Sequence, residues 1–554
     1  MKKNTVFFIS DYLLTEVNGG AEKFNHILIK GLLDLGIEVT QVKSANFTPE
    51  LICDDNYYLI SNFMHLSEKA KTALVAEQIN YSIIEHDHKY IKTNDPSKFI
   101  NMLAPFEEII NRQFYKSADY VFCQSKIHAE VVQKNLLINN IVNLKYNLWD
   151  HSDLEKLLEK SKTKKTIKNS IFNTSNLNKG TRAAIKYCEN KKICSFHSIF
   201  PTSWEKFTDE LSKTQNYIFF PQWLESFCRV VVEAKILGCK ITTNKLVGVT
   251  SEQWFRDSGD PEKLCNLLIN KTNKIINKFA KLIDGEMESF SKINQLEIPK
   301  ISIITSMYKA GEFIERFLDD VTQQTIFEKC ELIIVDANSP DKEYKFIKEQ
   351  QKKHPNIFYH RLDKTLTVQE TMNYGIKKST GDFLTLWNVD DYRKNDALEV
   401  LSLNLVVDKT VDLVYADCYE TTKKNESFLN NSSNGKLYEH SKNKFSKNNM
   451  IKCLPGPMPL WRSNLNKKYG MFDEKYIFAG DWEMWLRAVD MGSKFKKIPK
   501  VLGLYYKNPN GISTSNKNSV ERFKEEAALF TTYKHLFGKA NYEKYKNYFS
   551  KEVL

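Results

Sequence analysis

Short apolar runs alternate with helix-periodic segments along the first part of the chain. From residue 5 to about 150 the runs read TVFFIS, YYLIS, YSIIEHD and YVFCQS, and a helix follows the first of them. That helix is predicted to open at Asn18-Gly19-Gly20 and to stop at Gly36. Its apolar positions on one face are Phe24, Ile27, Leu28, Leu32 and Leu35. Strands separated by amphipathic helices predict a parallel, doubly wound α/β sheet.

The alternation restarts twice further along the chain. A lysine-rich stretch, KSKTKKTIK at 160–168, precedes a second α/β segment, and residues 286–299 have no clear period. A fresh pattern begins with ISIIT at Ile301, continues with ELIIVD at Glu331 and runs to about residue 515. The predicted division is two α/β domains at 1–160 and 161–285, a linker at 286–299, a third α/β domain at 300–515 and a helical tail at 516–554.

Two segments near the C-terminus depart from this alternation. Residues 421–449 are polar and almost free of aliphatic side chains, which is typical of a long surface loop. In the tail, Tyr542, Tyr545 and Phe549 fall on one helical face. We expect a helix that covers a core there, in preference to one that contacts a membrane.

Composition places the chain among multidomain globular proteins. A length of 554 residues exceeds what one core supports and predicts about three or four domains, and a hydrophobic content of 42% excludes wholesale disorder. The net charge is +12, but lysines are interspersed with acidic residues, as on a solvated surface. Neither interleaved aromatic and basic strands nor an RNA-binding motif is present, so no nucleic acid is expected as a partner.

Cysteine usage and the N-terminus indicate the compartment. None of the ten cysteines forms a C-x-x-C pair, and several lie in apolar runs, so buried free thiols are expected in place of disulfides or a zinc site. Asp11 interrupts the first apolar run, which predicts a strand and not a signal peptide. No run approaches the ~18 apolar residues of a membrane span. We expect a cytoplasmic protein, at most peripheral at the inner face of a membrane.

Adjacent carboxylates follow a buried strand in the second half of the chain. Asp390 and Asp391 come directly after FLTLW and the Asn388-Val389 pair, at the carboxyl end of a strand, where open α/β sheets bind their ligands. Hard oxygen ligands at such an edge suit Mg²⁺ or Mn²⁺ bridging two phosphates. A paired Asp at a strand end also serves as a plain turn or helix cap, and the pair by itself leaves both roles open.

Four ordered blocks give these carboxylates a context: SIITSMYKAGEFIERFLDDVTQQT, ELIIVDANSPD, TMNYGIKKSTGDFLTLWNVDD and GMFDEKYIFAGDWEMWLR. Their order and spacing resemble glycosyltransferase family 2, the inverting, metal-dependent GT-A enzymes, over about residues 300–515. The resemblance implies that Ser306 and Asp336 line a nucleotide pocket. It further implies that Asp390 is the metal-binding acid of a D-x-D element and that Asp481 is the catalytic base.

Two positions depart from the family 2 pattern. Asn388 stands where the first Asp of D-x-D usually lies, and Ala337 stands where a second Asp often follows Asp336. An Asn can accept a hydrogen bond from a ribose hydroxyl or coordinate through its carbonyl oxygen. We therefore expect Asn388 to bind the nucleotide-sugar, with altered donor binding before any loss of activity.

The chemistry of inverting transfer assigns roles to the last block. A base must take a proton from the acceptor hydroxyl while the metal ion stabilises the departing diphosphate. Asp481 is expected to be that base, with Trp482 and Glu483 on the acceptor side, where a tryptophan can stack on a sugar face. The alternative is that Trp482 and Trp485 are both core residues of the helix, and this applies first to Trp485.

A pair of glutamates marks the first half of the chain. The segment PQWLESFCRVVVEAKILGCKITT contains Glu225 and Glu233 with seven residues between them. That spacing suits one carboxylate in the loop before a helix and another inside the helix, both facing one cleft. Gly19-Gly20 at the start of the first helix can bring backbone amides close to an anionic ligand, although any strand-to-helix turn can use such a pair.

With the elements GGAEKF and LNKG, residues 5–285 resemble glycosyltransferase family 4, the retaining, metal-independent GT-B enzymes with a pair of Rossmann-type domains. The resemblance implies that Glu225 is catalytic and touches the donor sugar, and that Glu233 binds the ribose. Lys179 would then bind the diphosphate, and Gly20 the phosphate or acceptor side. His86, in IIEHDHKY, matches an active-site histidine of such enzymes or is a satisfied histidine at a strand end.

The departures from family 4 leave the role of this half open. Asn173 and Thr174 occupy the region of the Arg that usually precedes the Lys-Gly pair, and the segment is short for a complete GT-B enzyme. A degenerate copy that binds glycan or positions the other module is an alternative. No G-x-G-x-x-G or G-K-[ST] loop is present, which removes the simplest dehydrogenase and kinase interpretations.

The sequence therefore predicts a two-module glycosyltransferase that moves a sugar from a nucleotide-sugar donor to a glycan or lipid-linked acceptor in surface polysaccharide biosynthesis. The C-terminal module would be inverting and would need Mn²⁺ or Mg²⁺. The N-terminal module would be retaining and would need no metal. Two alternatives are a single-activity family 2 enzyme whose first half is a glycan-binding or scaffolding module, and a non-catalytic protein that binds RNA through its basic charge.

Overall fold

The computed structural model describes residues 5–550 except residues 18, 287–288, 516 and 518, so Asn18 of the predicted helix start lies outside the described residues. The chain divides into two compact units, Met1–Gln295 and Leu296–Leu554, here called unit 1 and unit 2. Both contain parallel β-sheets between helices. The predicted α/β class with parallel sheets is confirmed.

The first part of unit 1 is a six-stranded sheet built from the apolar runs of the sequence. Its strands are β1 (Val6–Ser10), β2 (Val39–Lys43), β3 (Tyr57–Ile60), β4 (Tyr81–Ile84), β5 (Tyr120–Cys123) and β6 (Ile141–Asn143). Its helices are α1 (Gly20–Asp34), α2 (Glu68–Ala76), α3 (Arg112–Ser117) and α4 (Lys126–Leu136). The strand order is β2-β1-β3-β4-β5-β6, and all neighbours are parallel, so the carboxyl ends of the strands share one edge.

The second part of unit 1 is a smaller parallel sheet in the order β10-β9-β7-β8. Its strands are β7 (Ile167–Phe172), β8 (His197–Ile199), β9 (Thr214–Phe219) and β10 (Lys240–Thr243). The helices of this part are α5 (His151–Lys160), α6 (Thr181–Asn190), α7 (Trp204–Ser212), α8 (Arg229–Ile236), α9 (Gln253–Asp257) and α10 (Pro261–Ile283).

Helix α10 belongs to the cores of both sheets of unit 1. Leu264 and Leu268 are buried in the core of the second sheet, whereas Phe279 packs on Phe122 of the first sheet with ring centroids 4.6 Å apart. Phe290, inside the segment expected to be a linker, is also buried against Phe122 at 4.6 Å. The chain therefore returns to the first sheet before it leaves unit 1.

Unit 2 is built on one mixed sheet of eight strands. They are β11 (Ile301–Met307), β12 (Cys330–Asp336), β13 (Ile357–Arg361), β14 (Phe383–Leu386), β15 (Tyr392–Arg393), β16 (Leu413–Thr421), β17 (Leu460–Arg462) and β18 (Phe495–Tyr506). The order is β13-β12-β11-β14-β17-β16-β18-β15, in which the first four strands are parallel and β17 is antiparallel to both neighbours. The carboxyl ends of β11, β12 and β14 therefore lie at one edge.

Helices cover this sheet and carry the C-terminal tail. They are α11 (Ile314–Thr322), α12 (Tyr344–Lys353), α13 (Val368–Lys378), α14 (Ala397–Val407), α15 (Asn464–Tyr469), α16 (Gly480–Asp490), α17 (Ser519–Thr532) and α18 (Gly538–Ser550). Phe530 of α17 stacks on Tyr542 and Phe549 of α18, with ring centroids 5.1 and 4.6 Å apart. The apolar face predicted for the tail thus packs on protein.

Two further expectations concern thiols and membrane spans. All ten cysteines fall in the described part of the chain, and all are free, seven of them buried. Over the described residues, no helix combines the length and the apolar character that a bilayer crossing requires.

Candidate functional site

The carboxyl ends of two neighbouring strands in unit 2 place Ser306 and Asp336 at one edge of the sheet. Ser306 lies half-buried near the end of β11, and Asp336 ends β12 with only 1% of its surface exposed. The Asp336 carboxylate accepts hydrogen bonds from the Ser339 N–H at 2.6 Å and from the Tyr359 hydroxyl at 2.5 Å. Arg361 forms an ion pair with it at 2.7 Å. Asp336 is therefore held rigidly by groups of β13 and of the loop that follows β12.

Asn388, Asp390 and Asp391 follow β14 at the same edge. Asn388 is exposed, and its amide donates to the Asp391 carboxylate at 3.2 Å. Asp390 is half-buried and accepts from the Asn508 amide at 3.0 Å. Asp391 is buried and accepts from the Tyr506 N–H at 3.1 Å. The three side chains thus form a small group of oxygen donors closed on one side by the end of β18.

This donor set fits a divalent cation of the magnesium type. Burial raises the pKa of Asp390, and burial together with the charge of Asp390 raises the pKa of Asp391 well above its usual range. Two adjacent carboxylates that are costly to ionise together gain from a bound cation. No group of three or more His, Cys, Asp or Glu suited to a metal ion occurs among the described residues. Mg²⁺ and Mn²⁺ need only one or two protein carboxylates when substrate phosphates supply the rest.

Arg393 follows this group in the chain, and its side chain binds β14, the strand that precedes the group. It was not identified from the sequence. Its side chain is fully buried, donates to Thr385 Oγ1 at 2.8 Å and to the Pro457 and Leu386 carbonyls, and stacks on the Trp387 ring at 4.7 Å. Burial lowers the pKa of its guanidinium to about 9, against the effect of Asp391. Its positive charge supports the ionised form of Asp391.

Asp481 lies in the first turn of α16, close to α17 and to the segment before β17. Three successive N–H groups, of residues 477–479, donate to the Glu525 carboxylate of α17 at 2.8 to 2.9 Å, so the start of α16 is capped from outside. The Cys453 thiol donates to Asp481 Oδ2 at 3.4 Å. Burial raises the pKa of Asp481, which moves this carboxyl towards the range of a general base.

Two tyrosines connect the surroundings of Asp481 with those of the Asp390-Asp391 pair. The rings of Tyr438 and Tyr505 are 4.4 Å apart. Burial and then the charges of Asp391 and Asp390 raise the pKa of Tyr505, and burial, with the charge of Asp481 among smaller causes, raises that of Tyr438. The charges of both carboxylate groups therefore raise the pKa values of two tyrosines whose rings are in contact.

The acceptor roles expected of Trp482 and Glu483 do not fit their positions. Trp482 is 5% exposed, and its indole N–H donates to the Met450 carbonyl at 2.8 Å, so the ring is part of the core. Glu483 is buried and forms an ion pair with Arg487 at 2.8 Å. Trp485 is fully buried, in agreement with the core alternative. These side chains hold α16 in place, whereas Asp481 at its start is only half-buried.

In unit 1, Lys179 and Glu225 are in direct contact. Lys179 Nζ forms an ion pair with Glu225 Oε1 at 2.8 Å. Although burial lowers the pKa of Lys179, the carboxylate of Glu225 gives a net rise, and Asp87 contributes in the same direction. Gly180 follows with φ of +71°, and a Cβ there would lie 1.7 Å from the Phe220 carbonyl oxygen. Only glycine therefore brings this turn close enough to the loop that carries Glu225.

Glu233 lies inside α8, next to an arginine that sequence reasoning did not single out. Glu233 is 3% exposed, and burial raises its pKa against the charges of Arg229 and Lys23. Arg229 stacks on the Trp149 ring, its guanidinium carbon 3.9 Å from the ring centroid. A Cβ on Gly20 would lie 3.6 Å from Arg229 Cδ, so the start of α1 approaches the same side chain.

His86 joins this group through a chain of hydrogen bonds. Its Nδ1 contacts the Gln124 amide, whose oxygen accepts from Asn147 Nδ2 at 3.0 Å, and Asn147 Oδ1 accepts from Arg229 at 2.6 Å. Burial, reinforced by the charge of Lys89, lowers the pKa of His86 to about 4. Its Nε2 has no hydrogen-bond partner among the described residues. The imidazole is therefore neutral, and its Nε2 atom is buried.

The residues that sequence reasoning missed share one property. Arg229, Cys453, Tyr438, Tyr505 and Glu525 act through partners far away in the chain. One local signal existed for Arg229, because a charged residue interrupts the apolar start of ESFCRVVVEA. Tyr438 is likewise one of the few aromatic residues in the polar segment 421–449.

Comparison with known proteins gives a family for part of unit 2. Residues 302–470 match the model described as Glycosyl transferase family 2. An uncharacterized glycosyltransferase of Methanocaldococcus jannaschii is 22% identical over 219 residues, which cover 39% of this chain and 74% of the relative. A dolichyl N-acetyl-alpha-D-glucosaminyl phosphate 3-beta-D-2,3-diacetamido-2,3-dideoxy-beta-D-glucuronosyltransferase of Methanococcus voltae is 23% identical over 260 residues, 44% of this chain and 75% of the relative.

Among solved structures, a mannosyltransferase of Pyrobaculum calidifontis in complex with GDP-Man and Mn²⁺ aligns with a TM-score of 0.34 and 17% identity. The alignment covers 43% of this chain and 64% of that chain. The family match and the relatives place a glycosyltransferase family 2 domain in the C-terminal region, and they identify the chain as an enzyme of the glycosyltransferase class.

Proposed function

Because the chain is an enzyme with a glycosyltransferase family 2 domain, we propose that it moves a sugar from a nucleotide-sugar donor to a glycan or lipid-linked acceptor in surface polysaccharide biosynthesis. The observation that carries this proposal is the placement of Ser306, Asp336, Asn388 and Asp390 at one edge of the unit 2 sheet, within the matched residues 302–470. Open α/β sheets bind their ligands at the carboxyl ends of the strands.

The donor side follows from the contacts of these residues. Asp336 keeps a carboxylate at the edge in a fixed orientation and can accept hydrogen bonds from the nucleotide, while Ser306 lines the same pocket. Asp390 would hold a Mg²⁺ or Mn²⁺ ion, with Asn388 and Asp391 completing the oxygen donors on the protein side. When bound, such an ion supplies positive charge to the diphosphate that leaves.

The acceptor side depends on Asp481. Inverting transfer requires a base that takes the proton from the attacking hydroxyl, and the raised pKa of Asp481 favours proton capture by its carboxylate. Cys453 donates to Asp481 Oδ2 and the Trp482 N–H donates to Oδ1, so both carboxylate oxygens are held in place. Trp482 and Glu483 are buried and support the position of α16.

A donor screen tests this function. The full chain is incubated with UDP-, GDP-, CMP- and dTDP-sugars, with and without Mn²⁺, and released nucleotide is measured. We expect metal-dependent release from one of these donors, and loss of that release in Asp390→Ala. Absence of binding and of release for every donor, by protein shown to be folded, would contradict the proposal.

A second candidate function concerns unit 1, in which Lys179 contacts Glu225, and Glu233, Gly20 and His86 are connected through Arg229. We propose that these residues form a retaining, metal-independent donor site of the GT-B type. The contact between Lys179 and Glu225 and the hydrogen-bond chain from His86 to Arg229 support it. Arg229 offers the guanidinium that the sequence lacks near Asn173.

The test for unit 1 uses metal chelation. Transfer or donor binding that survives EDTA and is lost in Glu233→Ala would support a donor site, and Lys191→Ala, an exposed lysine on the same unit, serves as the matched control. If unit 1 binds glycan but no nucleotide-sugar, it is a glycan-binding or scaffolding module and the chain has one activity.

A further inference from the structure

A cavity of about 400 Å³ lies in unit 1 between the segment that follows β6 and one face of α10. Its walls come from Val142–Tyr146, from α10 and from residues 290–293. Five lysines line it, namely Lys145, Lys271, Lys274, Lys278 and Lys292. None of the lining residues is acidic, and none belongs to either candidate donor site.

The five ammonium groups have no carboxylate of a described residue within 4 Å. Lys271, Lys274 and Lys278 stand at positions i, i+3 and i+7 of α10, so they share one helical face. Like charges at such spacing repel and destabilise a helix unless a counter-charge is present. Burial, followed by the charges of Lys274 and Lys271, lowers the pKa of Lys278.

Aromatic rings hold several of these lysines at the cavity. Lys271 Nζ lies 5.4 Å from the Tyr146 ring, Lys278 Nζ 5.3 Å from the Phe290 ring, and Lys292 Nζ 5.2 Å from the Tyr120 ring. Contacts of this kind restrict a long side chain and keep its charge near the ring face. The positive charge is therefore arranged before any ligand arrives.

Glu252, the acidic residue on which Lys145 acts, does not neutralise the positive charge of the cavity. The charge of Lys145 acts on Glu252. The Glu252 carboxylate, however, accepts from the Lys126 N–H at 2.6 Å and from the Asn143 amide at 3.0 Å. It is thus used in joining α4 and β6 to the segment before α9.

We propose that this cavity binds the diphosphate group of a small molecule, with the lysines around the phosphates. The volume lies in the range of about 300–1,000 Å³ that is typical of ligand pockets and exceeds what a single phosphate fills. Several lysines match the multiple negative charges of a diphosphate better than those of a carboxylate. The apolar walls formed by Val142, Ile275, Phe290 and Ile293 suit the organic part of the ligand.

Calorimetry on the full chain with inorganic pyrophosphate, in EDTA so that no metal-dependent site contributes, tests the proposal. In the variant K271Q/K274Q/K278Q we expect affinity to fall by about tenfold or more. The control K186Q/K191Q/K192Q removes the same charge from exposed lysines of unit 1 and should keep affinity within about twofold. Lys278→Arg retains the charge and should retain binding. No binding by wild type, or an equal loss in the control, would overturn the proposal.

Two further arms identify the source of the diphosphate. Competition by uridine diphosphate in EDTA indicates a soluble nucleotide, whereas binding to phosphatidylcholine vesicles that contain farnesyl diphosphate indicates a lipid carrier. Either result supports the proposal if it is lost in K271Q/K274Q/K278Q and kept in the control. If neither ligand depends on these three lysines, the proposal fails. No outcome depends on transferase activity, so the result is separable from the function proposed above.

Discussion

Burial raises the pKa of both Asp481 and Asp390. Their neighbours, however, give the two carboxylates different roles. Asp390 adjoins a second carboxylate, and the pair gains from a cation. Asp481 has a thiol and a backbone N–H as its hydrogen-bond partners and no adjacent carboxylate within α16 except the ion-paired Glu483. We therefore expect Asp481 to exchange a proton and Asp390 to stay ionised beside a metal ion.

Replacement of Asp481 by asparagine separates chemistry from binding. The amide keeps the size of the carboxylate and one of its two acceptor oxygens but cannot take a proton. In Asp481→Asn we expect kcat to fall by roughly 10²-fold or more while KM for the donor stays nearly unchanged, because a base acts mainly in the transition state. Steady-state kinetics at saturating Mn²⁺ measure both constants. Near-normal turnover would remove Asp481 from the mechanism.

Asp390→Asn is the matched comparison for that experiment. Loss of a metal ligand weakens donor binding as well as turnover, and additional Mn²⁺ should restore part of the activity. A metal titration that leaves Asp481→Asn unchanged but improves Asp390→Asn would distinguish the two roles.

Cys453 offers a second test at the level of single residues. Its hydrogen bond lowers the pKa of Asp481 against the larger rise caused by burial. Removal of that bond in Cys453→Ala should move the acidic limb of the kcat/KM profile to higher pH, by up to about one unit, because the base then needs higher pH to ionise. Cys453→Ser restores a donor and should show a smaller displacement. Identical profiles for all three proteins would show that the thiol does not act on the base.

At the scale of elements, hydrophobic periodicity and composition were sufficient to predict the strands. They did not predict which residues, distant in the chain, contact those strands. The apolar runs ISIIT, ELIIVD and FLTLW coincide with β11, β12 and β14, because buried strands of a parallel sheet are apolar along their whole length. The contact between Tyr438 and Tyr505 joins a polar loop to β18 from far along the chain, and no local pattern encodes it. The glutamate spacing did indicate Glu225 and Glu233, but not their basic neighbours.

In helix α16, the spacing of apolar residues indicated a core position for Trp482, whereas the expected acceptor role placed it in the site. Trp482, Trp485, Leu486 and Val489 have the i, i+3, i+4, i+7 spacing of a buried face, and all four are buried. That spacing favoured a core position for Trp482 over sugar stacking. The position of Asp481 one residue earlier places its side chain at the margin of this face, which explains its partial exposure.

Two glycines with positive φ give a prediction about the turn that carries Lys179. Gly180 and Gly36 both have left-handed backbone, with φ of +71° and +78°, but a Cβ on Gly36 would have no atom within 4 Å. Gly36→Ala should cost roughly 1–2 kcal/mol of unfolding free energy from backbone strain alone. Gly180→Ala adds a clash with the Phe220 carbonyl and should cost clearly more. Urea denaturation followed by tryptophan fluorescence compares them, and equal losses would contradict the close approach.

At the scale of the whole molecule, buried histidines make stability dependent on pH. Burial lowers the pKa of His86 and of His88 to about 4 from an ordinary value of 6.5, and it lowers that of His128 as well. The folded protein thus keeps these rings neutral. Below pH 6.5 the unfolded chain binds protons that the folded chain does not. The effect of these histidines on the free energy of unfolding is therefore most favourable above pH 6.5, and that free energy falls as the pH drops towards 4.

His88→Asn should reduce that dependence. Asparagine tolerates the left-handed backbone of this position, where φ is +55°. The variant should take up about one proton fewer on unfolding, which removes roughly 1.4 kcal/mol per pH unit from the slope of stability against pH between about 4 and 6.5. Denaturation midpoints across this range measure the slope. His26→Gln, which changes an exposed histidine, is the matched control.

The division into two units predicts that unit 2 functions as a separate domain. Its main core contains Trp461, Trp485 and Leu529, all from residues after 295, and the family match at 302–470 lies entirely inside it. A domain with its own core can fold alone.

We expect a fragment of residues 296–554 to be folded and to bind a nucleoside diphosphate in calorimetry only when Mn²⁺ or Mg²⁺ is present, because the Asp390-Asp391 pair needs a cation before it can accept phosphates. The same fragment with Asp390→Ala should stay folded by circular dichroism and lose this binding. A folded fragment that binds the nucleotide equally well in EDTA would show that the carboxylates do not hold a metal ion, and a fragment that fails to fold would show that unit 2 depends on unit 1.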